Sequence, residues 1–410
     1  MKRIYLLIII LMISIHLFSQ ISITGEIRPR AEFRYGYRTL RSDNSDPAFF
    51  VSQRSRLNLS YTGEKYSAFI ALQDVRVWGD EQYNTDTPAL ALHEAYVKFN
   101  LIKNLSAKLG RQCIGYDNNR IFGKANWNQS SKKHDALLLN YSNNGWDIDF
   151  TNAFNQLTEN TNGTDYTDGN GNYKYLSYLW ATKKTEKISI SGMAMADGFQ
   201  YAVDTVYTRL TYGAIVKYAS GDLSFNVRYF GQGGKLVSGK EIASSLINIE
   251  AGYIIGKINL IAGMEISSGV DSNSSDSKSH AFETPYGAKH WVNGTMDYFK
   301  KTSDTKGTGL VDGYLKFSQK LSDKSSILAD YHYFSTNKTY YSEGTAVSKY
   351  LASEIDLVYR HTMAKDMNLE CGYSVLKGSS TLALMKSGNA DKLNHWMYIM
   401  LTFKPTFFKN

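Results

Sequence analysis

The sequence predicts an all-β chain: a transmembrane antiparallel up-and-down β-barrel of roughly 16–18 strands, about 18 as the working count, with long extracellular loops and short periplasmic turns. Three observations carry this. Apolar and polar residues alternate again and again, in the first stretch over about three times the length of a globular strand. Aromatic residues reach 13%, with 30 Tyr and 19 Phe in 410 residues, and many stand near the ends of those stretches. Short turns and long polar connections take turns along the chain. Other classes fit poorly. A charged fraction of 20% and a mean hydropathy of −0.34 exclude a helical membrane protein. The aromatic content and only 5 Pro exclude a disordered chain. Two Cys are too few for a disulfide-stapled domain.

The N-terminus reads as an address. Lys2 and Arg3 precede an apolar run from Ile4 to Ile13 and a more polar stretch to Ser19. That order is a secretory signal peptide over residues 1–19, cleaved after Ser19, which leaves 20–410 as one outer-membrane barrel. Removal of the two basic residues lowers the net charge from +8 to +6, too mild an excess to name a partner. Later segments are too short or too polar for a membrane helix. Cys113 and Cys371 read as two unpaired, half-buried thiols.

The first strand shows the alternation best. From Ile21 to Tyr37 the odd positions are mostly apolar, ending in Phe33, Tyr35 and Tyr37, while the even positions carry Glu26, Arg28, Arg30, Glu32 and Arg34. Pro29 falls on the apolar face and requires a place where no ladder bond is needed. The pattern returns in Leu57–Tyr61, Trp146–Thr151, Arg209–Tyr218, Leu223–Tyr229, Ile258–Ser267 and Glu354–Arg360. Short turns are expected at Tyr61–Lys65, Ala219–Asp222, Gly256–Lys257, Leu321–Lys324 and Ala364–Asn368. Long loops are expected at Arg38–Pro47, Gly79–Thr87, Thr158–Asn172, Asp271–Lys306 and Asn337–Ser348. The parity of Leu105, Ala107 and Leu109 puts Arg111 on the lipid face, where an Arg at mid-membrane costs ~2–4 kcal/mol. A bulge near Gly110 is the preferred escape, and a strand end at the interface the other.

With the polar faces inward, the early strands deliver Arg28, Arg30, Arg34, Arg54, Arg56 and Arg76 against Glu26, Glu32 and Asp74. Later strands deliver Glu250, Glu265, Asp312, Asp330, Glu354, Asp356 and Glu370. A basic wall facing an acidic wall sets a transverse field that orients charged solutes. Cross-strand pairing that merely fills the lumen accounts for any single charge equally well. Guanidinium groups also suit carboxylate-bearing sugars, which they grip with two parallel bonds. Catalytic and metal motifs are weak. His134–Asp135 is half of an acid/base pair without a Ser or Cys nucleophile. The stretch from Asp168 brushes against a calcium loop but has Tyr173 where the turn Gly belongs and Leu179 where the closing Glu belongs. The chain therefore reads as no enzyme, with no cofactor, no metal and no nucleic-acid partner.

The run Gly110-Arg111-Gln112, Tyr116-Asp117, Arg120 to Gly123, Asn126 to Gln129 and His134 to Ala136 resembles the signature of the alginate-export family of outer-membrane barrels. So do Gln73 to Gly79, His93 to Tyr96, Phe282 to Phe299 and Asp330 to Phe334. Lys132-Lys133-His134 departs from the arginine-plus-aromatic form of that signature. The resemblance runs from about residue 25 to the C-terminus. It implies an eighteen-stranded monomeric barrel, inserted in outer-membrane lipid by the barrel-assembly machinery, that conducts a polyuronate outward. By matching position it makes Asp74, Arg76, Glu94, Arg111, Arg120 and Asp135 inward or constriction residues. It also implies that the loop after Gly110 folds into the pore, and that His290 and Asp297 lie in a loop narrowing one mouth. The leading function is a passive channel for anionic polysaccharide or related anionic solutes. The alternatives are a general porin for small charged or sugar solutes, and a barrel enzyme or surface adhesin.

Overall fold

The structure, a computed structural model, describes residues 19–81, 89–167 and 171–410. Nearly all of the expected signal segment, the tip of the 78–90 loop and the start of the calcium-like stretch at Asp168 lie outside the described residues. Eighteen long strands build the wall. They are β1 (Gln20–Tyr35), β2 (Ala48–Thr62), β3 (Tyr66–Val77), β4 (Ala91–Ile102), β5 (Leu105–Gln112) and β6 (His134–Asn143). Next come β7 (Trp146–Phe154), β8 (Tyr175–Lys184), β9 (Ile188–Ala202), β10 (Thr205–Ser220), β11 (Leu223–Gly234) and β12 (Ser244–Ile255). The last six are β13 (Ile258–Ser267), β14 (Leu310–Lys320), β15 (Ser325–Thr336), β16 (Tyr350–Ala364), β17 (Met367–Gly378) and β18 (Leu393–Phe403).

Each strand pairs antiparallel with the next, and β18 returns to β1 through Arg30↔Met400, Glu32↔Tyr398 and Arg34↔Trp396. The barrel is closed, so no edge is left to present unpaired amides to lipid. Pro29 has its expected place. The ladder to β18 has partners at Ile27 and Arg30 and none at Arg28 or Pro29, so the missing N–H costs nothing there.

Connections after even strands are turns of two to four residues, such as 221–222 and 256–257, and those after odd strands are the long loops. The 203–204 turn between β9 and β10 is the exception. One loop carries a short helix, α1 (Ser380–Lys386), capped by Ser379, whose hydroxyl accepts the Leu382 N–H at 3.2 Å. The outward face is apolar: Val227, Ile249 and Leu260 are each 40–46% exposed, as lipid contact requires. Outward aromatics mark both rims, with Tyr66 and Trp146 at the turn end and Phe49, Trp78 and Phe154 at the loop end.

Arg111 does not escape through a bulge. The β5–β6 register runs unbroken through Leu109↔Leu137, Gly110↔Ala136 and Arg111↔Asp135. Gly110 has φ +122°, and a Cβ there would lie 2.3 Å from the Ala95 carbonyl oxygen, so the glycine absorbs the local twist without an extra residue. The bulge sits one strand earlier. Between β3 and β4 the register steps from Ala71↔Glu94 to Leu72↔Leu92, leaving His93 unpaired.

The two faces of β12 make the lipid boundary testable. Ile249→Arg places a charge on the outward face and is expected to destabilise the barrel by ~2–4 kcal/mol. Equilibrium unfolding from lipid vesicles measures this, and a change below 1 kcal/mol would remove Ile249 from the hydrocarbon zone.

Candidate functional site

The lumen begins with β1 and β2. Glu26, Arg28, Arg30 and Glu32 alternate onto the inner face of β1 and are buried. The register sets Arg54 opposite Arg28 and Arg56 opposite Glu26. Ion pairs answer part of this charge: Arg54 with Glu26, Arg30 with Glu32 at 2.9 Å, and Arg34 with Glu32 at 2.8 Å. Directly opposed cations such as Arg28 and Arg54 repel and need acceptors from elsewhere. They come from the long β5–β6 loop, residues 113–133, which folds into the barrel as its resemblance implied. The Asn126 carbonyl accepts from Arg28 at 2.8 Å, the Trp127 carbonyl from Arg30 at 2.8 Å, and Gln129 Oε1 from Arg28 at 2.8 Å. Arg56 donates to Gln73 Oε1 at 2.6 Å.

The acidic wall stands on β12 to β17 as expected, and its residues face inward. Here the β13–β14 loop, residues 268–309, supplies donors. Glu354 accepts the Thr295 N–H at 2.6 Å and the Met296 N–H at 2.8 Å. Asn293 donates to both Glu265 and Asp312 at 3.2 Å, and the Thr295 hydroxyl donates to Asp356. His332 meets Asp312 at 2.9 Å, Arg228 pairs with Glu250 at 2.6 Å, Lys316 with Asp330 at 3.9 Å, and Arg360 with Glu370 at 2.7 Å. Arg120, on the first loop, crosses to Glu265 and to Asn293 Oδ1 at 3.0 Å, so the two loops are tied together over the acids.

The loops also meet through rings. Trp127 stacks on His290 at 4.5 Å and packs edge-on to Tyr398 at 4.7 Å. His290 Nδ1 lies 3.0 Å from Asp297, which also accepts from Tyr37 and from Lys300 at 2.8 Å. Between the loops is a cavity of about 620 Å³. Its lining includes Arg30, Arg34, Arg38, Lys124, Lys132, Lys289 and Lys300 against a single carboxylate, Asp297. Lys124, Lys132 and Lys289 make no ion pair among the described residues. Burial, then the neighbouring charges of Lys289 and Lys300, brings the Lys132 ammonium down to about 8. Burial is the larger part of this shift, and the Lys132 ammonium is held there by the Pro285 and Gly287 carbonyls, the latter at 2.7 Å.

Several expected lumen residues lie elsewhere. Asp74 and Arg76 register with Ser55 and Gln53, on the outward parity of β2, and pair with each other at 2.8 Å near the loop end of β3. Arg111 registers with outward Ala95 and pairs with Asp135 at 2.9 Å, also at the loop end. These four are rim ion pairs outside the lumen, because strand parity fixes the face and only an inserted residue reverses it. Glu94 does face inward, in register with buried Ala71, and accepts the Cys113 N–H at 2.8 Å. His134 and Asp135 point to opposite faces: His134 is buried against the Tyr173 hydroxyl at 2.9 Å, so they form no dyad. His290 and Asp297 lie at the loop end of the barrel, His290 packed against Trp396 and Asp297 accepting from Tyr37 just beyond β1. Sequence reasoning missed Lys124, Lys132, Lys289 and Lys300, since loops carry no periodicity to orient them.

Among known proteins, the family profile described as "Alginate export" matches residues 19–391. No curated protein matches the chain. Pseudomonas aeruginosa OpdL covers 95% of this chain with 99% of its own, at TM-score 0.65 and 12% identity. For P. aeruginosa OprD the values are 95%, 96%, 0.64 and 12%, and for OpdK solved with vanillate 95%, 99%, 0.59 and 11%. At such identity these likenesses carry the barrel fold alone.

Acid should loosen the second loop. Burial lowers the pKa of His290, outweighing Asp297, so the docked ring stays neutral. A released loop takes up this proton from about pH 6.5 downward, so docking is strongest above that value and weakens as pH falls, by at most about tenfold per unit. Against its own burial, His290 and Lys300 hold the Asp297 carboxyl well below the usual range, so its contribution fails only in stronger acid. Limited proteolysis within residues 268–309 is expected to quicken from pH 7.5 to 5. His290→Phe, which keeps the stack on Trp127, is expected to flatten that rise.

Proposed function

We infer the cargo from one premise: this chain belongs to the alginate-export family and is a channel of the bacterial outer membrane. The reading is that it conducts an anionic polysaccharide of the polyuronate class passively, as a monomer and without catalysis. The observation that supports it is the cavity between the two infolded loops, where seven cationic side chains face one carboxylate. A uronate chain repeats a carboxylate at every sugar, and a row of separated ammonium and guanidinium groups meets that spacing without demanding one fixed pose. Arg is suited to two-bond contact and Lys to a movable point charge. Trp291 lines the same cavity and offers an apolar face of the kind that packs against a sugar ring.

A second reading rests on the acids. A lumen with both signs of charge also suits small charged solutes, and the fold relative OpdK was solved with vanillate, a small carboxylate. Size then separates the two: a general porin passes short carboxylates, whereas a polyuronate path holds longer chains more tightly.

In planar bilayers the wild-type channel is expected to prefer anions and to be blocked by oligouronates, more strongly as chain length grows. Lys124→Glu with Lys289→Glu is expected to weaken the block about tenfold. Raising the pH through about 8 removes the Lys132 charge and is expected to lower the anion preference. Cation preference with no uronate block overturns the polyuronate reading. Equal block by monomer and oligomer moves the assignment to a general porin.

A further inference from the structure

Among the described residues, one cluster in the lumen wall has no task in conduction. His93, Glu94 and Cys113 bring an imidazole, a carboxylate and a thiol together, with the ligand atoms all within 4.8 Å of one another. We propose that these three residues form a transition-metal site of the zinc class at the root of the first infolded loop.

The backbone argues that the site is built. Consecutive residues of a strand point to opposite faces, so a regular β4 would turn either His93 or Glu94 outward. The bulge at His93 is what breaks that rule. It leaves His93 1% exposed and in reach of Cys113, while Glu94 keeps its inward register opposite Ala71. Bulges re-aim side chains at the cost of ladder bonds, and this one is spent on placing two adjacent ligand types on one side. Cys113 follows directly on the last residue of β5, so strands on both sides hold the cluster.

The ring of His93 is not a satisfied core histidine. Its Nε2 faces the Cys113 sulfur at 3.6 Å, and its buried Nδ1 has no hydrogen-bond partner. The bond lengths of tetrahedral zinc, ~2.3 Å to sulfur and ~2.0–2.1 Å to nitrogen, put two such ligands about 3.6 Å apart. The sulfur and nitrogen are at that spacing already. Glu94 is oriented by the Cys113 N–H at 2.8 Å, the supporting contact that ligating carboxylates require, and its second oxygen remains for the metal.

The donor set selects the ion. Thiolate and imidazole favour zinc and related metals over calcium or magnesium, which take oxygen ligands. On binding, the Cys113 thiol gives its proton to solvent. Its bond to the Lys132 carbonyl, 3.0 Å, is exchanged for a sulfur–metal bond, and water completes the fourth position. Thiolate and carboxylate together neutralise a divalent ion, so occupancy, with one proton lost from the thiol, takes the cluster from one negative charge to none beside Arg54 and Arg56. Because Cys113 opens the 113–133 loop and His93 and Glu94 stand on β4, the metal would fasten the loop root to β4.

The test uses the full chain, refolded in detergent, stripped with chelator and titrated with Zn²⁺ against a competing indicator. One ion per chain is expected. His93→Gln and Cys113→Ser should each weaken binding by at least about tenfold, while Cys371→Ser leaves it unchanged. Heat-dependent gel mobility reports whether each variant has formed its barrel. Should either fail to fold, Co²⁺ added to the folded Cys371→Ser protein decides: a sulfur-to-cobalt charge-transfer band is expected, and alkylation of Cys113 should abolish it. No bound ion at micromolar free Zn²⁺, no charge-transfer band, or a folded Cys113→Ser variant that binds like the parent would each overturn the site.

Discussion

A strand in hydrocarbon finds no water for its amides, so the pairing of β1 with β18 is the contact on which the remaining structure depends. Once Arg30↔Met400 and its neighbours close the ring, each residue has only two places to be. It faces lipid or it faces the lumen, in strict alternation. The apolar half of the pattern is thereby committed to the bilayer, and every charge on the other half is confined inside a tube. Closure solves the backbone problem and creates an electrostatic one.

The electrostatic problem is severe because the tube is not simply filled with water. Arg54 and Glu26 are both nearly inaccessible, and Glu354 and Asp312 are fully buried. Removing one partner of such a pair typically costs about 3–5 kcal/mol, since the other charge is left without compensation. The two infolded loops answer with backbone polarity of matched sign. The 113–133 loop turns carbonyl oxygens to the arginines, and the 268–309 loop turns N–H groups to the carboxylates. Neither loop could exchange places with the other. The opposed walls therefore act as a docking code that tells each loop which side of the barrel to take, and Arg120, reaching from the first loop to Glu265, locks the two answers together.

This division explains what the sequence made legible. Period-two alternation is written into residues such as Ile258 to Ile266 because lipid enforces it at every second position, so strands and both charged walls could be read directly. Parity also decided correctly for Arg111: its outward position followed from Leu105, Ala107 and Leu109, and the invoked bulge was unnecessary because the residue sits at the loop end with Asp135 beside it. Asp74 and Arg76 were misplaced because the charged face of β3 was taken as the inward one, as the motif position also implied, whereas Gln73, bonded to Arg56, marks the face that points inward. The inserted residue at His93 left no trace in hydropathy, since a bulge is a property of pairing between two strands. Loop residues fared worst. Lys124 and Lys289 have no neighbour in sequence that fixes a direction, and only the docked loops reveal that they share a cavity.

The same division separates the structural cations from those free for other work. Arg28 and Arg54 looked like the obvious contacts for an anionic cargo, yet their donors are taken by Glu26, Gln129 and the carbonyls of the loop. A cargo would have to displace the loop to reach them. Lys124, Lys132 and Lys289 belong to the loops themselves and pair with no carboxylate among the described residues, although Lys132 also donates to the Pro285 and Gly287 carbonyls and so ties the first loop to the second. Within this cavity, the cations with no carboxylate partner among the described residues are therefore those of the loops, while Arg30 and Arg34 of the wall are answered by Glu32. An anion bound there would contact the loops directly, beside a Lys132 that burial, then the charges of Lys289 and Lys300, depresses. On the channel reading, the side chains that would select an anion belong to the same loops that the charged walls hold in place.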